Sequence, residues 1–159
     1  MSNKEIQYRL VKIVNNQFAI FEDKYAADEP MAYELETGFG ANLDENIVIA
    51  QVNFTVIQKE VVILTIECGF YYQIEPKSFS LLTDKETKNI TLPFNYAATF
   101  MTTAIGGTRG YLSAKLEDTS LQNFILPIVF LNEIWETKND FVLEYTKDLR
   151  TAEKAEADV

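Results

Sequence analysis

The chain opens on alternating residues. Between positions 6 and 21, Tyr8, Leu10, Lys12 and Val14 fall on one side of an extended backbone, and Gln7, Arg9, Val11 and Ile13 on the other. Asn15-Asn16 interrupts the run, which predicts a bend or bulge, and Phe18, Ile20 and Phe21 resume it. An acidic connection follows over 22–31. Tyr33, Leu35 and Thr37 then alternate with Glu34 and Glu36, the period of a half-buried strand. Gly38-Phe39-Gly40 and the residues to Asn46 read as a loop. A third strand is expected from Ile47 to about Ile57, a polar turn at Gln58-Lys59-Glu60, and a fourth strand from Val61 to Ile74. One face of that last strand, Val62, Leu64, Ile66, Cys68, Phe70, Tyr72 and Ile74, is almost wholly apolar. Short polar turns favour an antiparallel meander.

Past Pro76 the period changes. Residues 77–90 contain a polar loop, Thr83 to Asn89. From Pro93, which a first helical turn tolerates, Phe94, Ala97, Met101, Ala104 or Ile105, Thr108 and Tyr111 or Leu112 recur at helical spacing. This helix is rich in small residues, among them Ala97, Ala104, Gly106 and Gly107. Lys115 to Ser120 reads as an exit turn, Leu121 to Pro127 as extended, and a second helix is expected from about Ile128 through Phe130, Leu131, Ile134 and Trp135. Strands first and helices after predict an α+β fold, a four-stranded antiparallel sheet followed by two helices. The expected organisation is a single domain over 1–137, with a C-terminal helical extension and charged tail over 138–159.

Composition narrows the chemistry. The chain has 159 residues, one domain's worth, and a formal charge of −10. A field of that sign repels nucleic-acid phosphates and anionic lipid, so neither is an expected partner. There is no histidine, which removes the commonest general base and metal ligand. The single cysteine, Cys68, alternates in phase with the apolar face of the fourth strand and reads as a buried, inert thiol. No ligand set for a structural metal and no cofactor motif is present, so none is expected. No apolar run approaches the roughly 20 residues of a membrane span. Met1 to Gln7 lacks the apolar core of a signal peptide, so a cytoplasmic location is expected.

Acid–base chemistry without histidine would need paired carboxylates. Glu34 with Glu36 share a strand face, but they fit the solvated half of that strand; Glu67 sits on a mixed face. Gly38-Phe39-Gly40 lacks the third glycine and following helix of a phosphate loop. Nothing nominates a catalytic residue, and a non-enzyme is expected. What remains is apolar and aromatic surface, 11 Phe and 8 Tyr, on a strand that is apolar on both faces. Two modest helices cover only part of it. The excess fits self-association, or apolar grooves for extended peptides with edge strands offering backbone pairing.

The order of elements and several segments resemble the SecB family of protein-export chaperones. The segments are the interrupted first strand from Tyr8 to Glu22, Gly69-Phe70-Tyr71-Tyr72-Gln73-Ile74 closing the fourth strand, and Leu92-Pro93-Phe94-Asn95-Tyr96-Ala97. Arg109-Gly110 and the apolar run Phe124 to Phe130 complete the set, which spans about residues 6–137. The resemblance implies an ATP-independent holdase of the bacterial cytoplasm that binds non-native polypeptides in hydrophobic grooves. It implies a homotetramer, a dimer of dimers with the first helices between the sheets. Tyr33 and Leu35 would line a groove, and Phe130 and Ile134 would cover it. Ala97, Met101, Ala104 and Gly107 would form the oligomer interface. The family delivers cargo to the SecA motor through acidic residues, but Gln17, Phe21 and Thr65 stand at the corresponding positions here. Docking to SecA is therefore not carried over, and the chain reads as a divergent member. The competing reading is an adaptor or antitoxin-associated protein with one dedicated folded partner. A third, a small-molecule-binding or enzymatic α+β domain, would need a deep pocket with paired carboxylates.

Overall fold

The computed structural model describes residues 5–144. Four strands build one antiparallel sheet: β1 (Tyr8–Ile20), β2 (Ala32–Asn42), β3 (Ile47–Gln58) and β4 (Val61–Ile74). They lie side by side in the order β1-β4-β3-β2, so β1 and β2 are the edges. The α+β expectation holds, and the β4 boundaries coincide with those read from the pattern.

Cross-strand partners define two faces, because opposed residues point the same way. One face carries Tyr72, Phe70, Cys68, Ile66 and Leu64 of β4, opposite Val48, Ala50, Val52, Phe54 and Val56 of β3. Every one of these is buried. The face continues on β2 with Tyr33, Leu35, Thr37, Phe39 and Ala41. The other face bears Glu36, Asn53 and Glu67 in one register row, and Glu34, Thr55 and Thr65 in another.

β2 is longer than the sequence predicts. Gly38 and Gly40 do not break it, since Phe39 and Ala41 continue the alternation against Ala50 and Val48. On β1 the register shifts twice, between Leu10 and Lys12 and between Asn15 and Gln17. The second shift is the expected Asn15-Asn16 interruption. The first reverses the phase from Lys12 to Asn15. Lys12 turns to the outer face, its ammonium 5.4 Å from the Tyr71 ring centre, and Ile13 joins Tyr8 and Leu10 on the inner face.

The long connection from β1 to β2 passes through a single 3-10 turn, Glu22–Lys24, and is held by one side chain. Gln58, 4% exposed, accepts from the Ala26 amide at 3.0 Å and donates to the Ala26 and Glu29 carbonyls at 2.9 and 3.0 Å. All its buried amide capacity except one lone pair is thus used. The β3–β4 turn puts Lys59 and Glu60 at φ 47° and 63°, with no glycine to relieve the left-handed backbone.

The stretch 77–90 keeps its polar loop over 83–89 and carries an element before it that the pattern does not announce. It holds helix α1 (Pro76–Leu82) and leads to strand β5 (Ile90–Leu92). Pro76 opens α1, the Glu75 carboxylate accepts from the Ser78 amide, and Phe79 and Leu82 are buried. That bond holds the Glu75 carboxyl below its ordinary pKa. Helix α2 (Phe94–Lys115) follows as predicted and packs on β3 and β4. Its buried stripe is Ala97, Phe100, Met101, Ala104, Ile105, Thr108 and Leu112.

Two departures concern the C-terminal third. The second helix shrinks to four residues, α3 (Leu131–Ile134), because Pro127, Ile128 and Val129 stay extended. The helical extension expected over 138–159 is instead a strand where it is described. There β6 (Phe141–Leu143) pairs with β5, and residues 145–159, the expected charged tail, lie outside the described residues. Pro93 at the start of α2 offers no capping side chain, and Asp140 supplies it from afar, accepting from the Phe94 amide at 3.0 Å. The tail segment therefore completes the helix it follows.

Helix and sheet meet most closely at Gly107. A Cβ there would lie 2.5 Å from two ring carbons of Phe70. Beside it the Tyr72 ring stacks on Phe100, 4.1 Å between centres and 5° between planes, and its hydroxyl donates to the Phe100 carbonyl at 2.9 Å. Burial pushes the Tyr72 phenol up to about 12.

Gly107→Ala is expected to destabilise the chain by about 1–3 kcal/mol in denaturant titrations, since the buried Phe70 ring has nowhere to go. Stability should also depend on Tyr72 at high pH. A phenol whose pKa is raised on folding stabilises the fold below its ordinary value near 10 and loses that contribution as pH climbs towards 12. The unfolding free energy of the native chain is expected to fall across that window, and to fall less steeply in Tyr72→Phe.

Candidate functional site

With α2 seated over β3 and β4, the inner face is left open along both flanks. On the β2 flank the sequence pattern places Tyr33 and Leu35 on the helix side and Glu34 and Glu36 on the other. Tyr33 is 50% exposed; Leu35 is half-buried. Both flank Phe54 of β3, which is fully buried and whose ring centre is 5.5 Å from that of Tyr33.

The opposite wall is the extended segment after α2. A turn at Leu116–Ser120 starts it, with Asp118 at φ 62° and the Ser120 amide bound by the Glu22 carboxylate at 2.7 Å. Leu121 and Leu126 turn inwards and are buried, and Phe124 comes within 6.1 Å of Phe54, centre to centre. The Arg109 guanidinium then straps the segment to α2. Its Nε donates to the Leu126 carbonyl and its Nη2 to the Pro127 carbonyl, both at 2.9 Å. A planar fork suits two successive carbonyls. Past the strap, Ile128 and Phe130 project at 75% and 60% exposure, while Val129 and Leu131 pack on the core. The far end is closed by Trp135, whose ring meets those of Phe39, Phe94 and Phe141 at 6.0, 5.8 and 4.7 Å. The segment thus passes the inner face near Phe54 and then near Phe39, with the exposed Tyr33 and the half-buried Leu35 of β2 on that flank.

The four residues expected to bind peptide are not one constellation. Tyr33 and Leu35 lie beside the fully buried Phe54, on which the Phe124 ring also packs. Ile134 belongs to the half-buried layer on the core. Phe130 stands open, and no ring contact among the described residues joins it to Tyr33. Sequence reasoning overlooked Ile125 and Ile128, at 64% and 75% the more exposed residues of the run. Seven consecutive apolar residues carry no period to say which point outwards.

The four residues expected at an oligomer interface face the other way. Ala97, Met101 and Ala104 are fully buried within the chain, and Gly107 lies on Phe70. The three small ones and Met101 all serve the seam between α2 and its own sheet. The open positions of α2 are on the opposite stripe, where a Cβ at Gly106 or Gly110 would meet nothing within 4 Å. The second open flank is that of β1, where Tyr8, Leu10 and Ile13 are 40%, 41% and 53% exposed.

Cys68 lies in the core between these flanks, and burial pushes its thiol pKa up. No three metal-ligating side chains gather among the described residues, and no helix of theirs is long and apolar enough to cross a membrane. Two clefts of about 390 and 370 Å³ lie elsewhere, one beside Tyr8, Arg9 and Glu75, the other beside Lys24, Gln58 and Lys59.

No protein-family model and no curated protein matches the chain. Among solved structures it is similar to the Mycobacterium tuberculosis Rv1957 SecB-like chaperone in complex with a ChAD peptide from the Rv1956 HigA1 antitoxin. The identity is 14% and the TM-score 0.43, over 79% of this chain and 90% of that one.

Replacing Arg109 by Lys leaves one donor group where the strap needs two directed bonds. Arg109→Lys is expected to cost about 1–2 kcal/mol and to speed amide hydrogen exchange selectively over 121–130, with β3 and β4 still protected.

Proposed function

We propose that the chain is an ATP-independent holdase that retains non-native polypeptides on the flank beside β2, as the sequence resemblance implies. The observation that carries this reading is the flank itself. Tyr33, Ile125, Ile128 and Phe130 leave half or more of their surface open on a chain of charge −10. Exposed apolar side chains in that number mark a binding surface, and the acidic surround keeps the loaded chain soluble. In this reading Tyr33 and the half-buried Leu35 meet the client from β2, the exposed Phe130 meets it from the following segment, and Ile134 packs on the core. Burial of apolar area supplies affinity without reading sequence, at about 25 cal/mol per Å². Partners are unfolded chains in the cytoplasm; no cofactor, metal or catalytic step enters.

Self-association belongs to the same proposal, on the other flank. Tyr8, Leu10 and Ile13 lie beside an α2 whose Gly106 and Gly110 leave room for a second backbone. Helix-interior glycine costs about 1 kcal/mol against alanine, and here no intrachain contact uses the space. A dimer formed there, and a dimer of dimers built on it, is the assembly proposed.

The purified protein is expected to suppress light scattering by a denatured client at a few-fold molar excess, without nucleotide. Ile128→Ser with Phe130→Ser should remove about half of that suppression or more while the melting temperature barely moves, since both side chains are exposed. Unchanged suppression would sink the assignment of this flank. Co-purification of one folded protein at fixed stoichiometry, with no suppression, would favour the dedicated adaptor instead. Mass in solution tests the assembly: Ile13→Asp is expected to shift an oligomer towards monomer.

A further inference from the structure

We propose that residues 121–130 are a built-in competitor, the chain's own stand-in for a client, and that Arg109 is a hook the client takes over when they leave. The inference rests on the holdase reading and deepens it, since it assigns what guards the site and which group grips the incoming backbone.

The segment has the chemistry of a non-native chain. From Thr119 to Asn132 there is no charged residue, and Phe124 to Phe130 are seven apolar residues in a row. They form neither helix nor strand. Leu121 and Leu126 are buried and Phe124 packs near Phe54, while Ile125 and Ile128 face solvent. The sheet thus already holds one piece of polypeptide as it would hold an unfolded one, by a few inward apolar side chains.

Little else fastens it. Among the described residues, 125–129 make no backbone–backbone hydrogen bond. Pro127 has no amide to give. β2, whose register with β3 runs from Ala32 to Asn42 without a shift, takes no hydrogen bond from the segment. What remains is the Arg109 guanidinium on the Leu126 and Pro127 carbonyls. Segments with so few backbone bonds open at small cost in free energy while core strands stay closed.

Arg109 suits a second use. Its fork meets two successive carbonyls, which every polypeptide offers, so the grip reads no sequence. Among the described residues no carboxylate lies within ion-pair reach of it, in a chain with 24 acidic residues. Once the segment leaves, a half-buried cation is left with two directed donors and no acceptor. Unmet charged donors are costly, so departure of one backbone is coupled to arrival of another. Between clients the segment keeps the apolar floor covered, and it lowers the apparent client affinity by the fraction of time it is seated.

The test uses a fluorescent peptide of the sequence 121–130, with two lysines added at each end, and anisotropy with the full chain. Leu126→Ala loosens the segment and leaves Arg109 in place, so it is expected to raise peptide affinity at least about fivefold. Arg109→Lys is then added to the loosened chain. A group that only straps the segment has little left to do there, whereas a hook still has a client to hold. The double variant is expected to bind at least about tenfold more weakly than Leu126→Ala alone. Should Leu126→Ala fail to fold, Phe124→Ala, at a half-buried position, gives the same reading. No gain in affinity from the loosened chain overturns the competitor. A double variant that binds as tightly as the single one overturns the hook. If the peptide binds none of these chains while aggregation of a denatured client is still suppressed, this inference falls and the holdase reading stands. If suppression is absent too, both fall.

Discussion

The width of one helix governs this molecule. Four strands at about 4.8 Å spacing put some 14 Å between the outer two, and their side chains spread further, whereas a helix with its side chains spans about 10–12 Å. α2 is centred on β3 and β4 by the Gly107–Phe70 contact and the Tyr72–Phe100 stack. So centred, it covers the inner side of β1 only in part, through Tyr96 and Phe100 on Tyr8 and Lys115 over Phe18, and leaves that of β2 to the segment that follows. The remaining helix, α3, has four residues and adds little cover. The exposed apolar positions are therefore a geometric remainder: Tyr8, Leu10 and Ile13 on one flank, Tyr33 on the other, with Ile125, Ile128 and Phe130 on the strap beside it.

The centring depends on small residues on one side of α2 and tolerates them on the other. At Gly107 any side chain would lift the helix off Phe70. Ala97 and Ala104, fully buried, keep the same close distance along the seam. Gly106 and Gly110 look identical in the sequence but have open space above them. The distinction between a residue made small by its own sheet and one free to meet another chain is set by helix phase, and a stretch where nearly every residue is small carries no phase.

That explains what was legible in the sequence. β4 was read to the residue because its apolar face alternates without a break from Val62 to Ile74. β1 was found but half of it was put on the wrong side, because a bulge at Val11 shifts the phase without leaving a glycine or proline to mark it. β2 was cut short at Gly38, although glycines on an outward face do not end a strand whose other face continues with Phe39 and Ala41. α1 was hidden in a polar stretch because its stability rests on a capping glutamate and two buried side chains, too few to make a period. Of the candidate site, alternation puts Tyr33 and Leu35 on one strand face, and their place at a groove is what the family resemblance implies. Arg109 was noticed as a motif, but its bonds to the backbone of Leu126 and Pro127 could be seen only once the chain was folded.

The unequal edges also bear on what the chain cannot become. Fibre growth by strand addition needs two complementary borders, so that each newcomer offers the next a place to join. With β1 kinked twice and β2 straight, a sheet of this kind has a single receptive border. A strand paired there would leave no matching border for the next, and propagation would end.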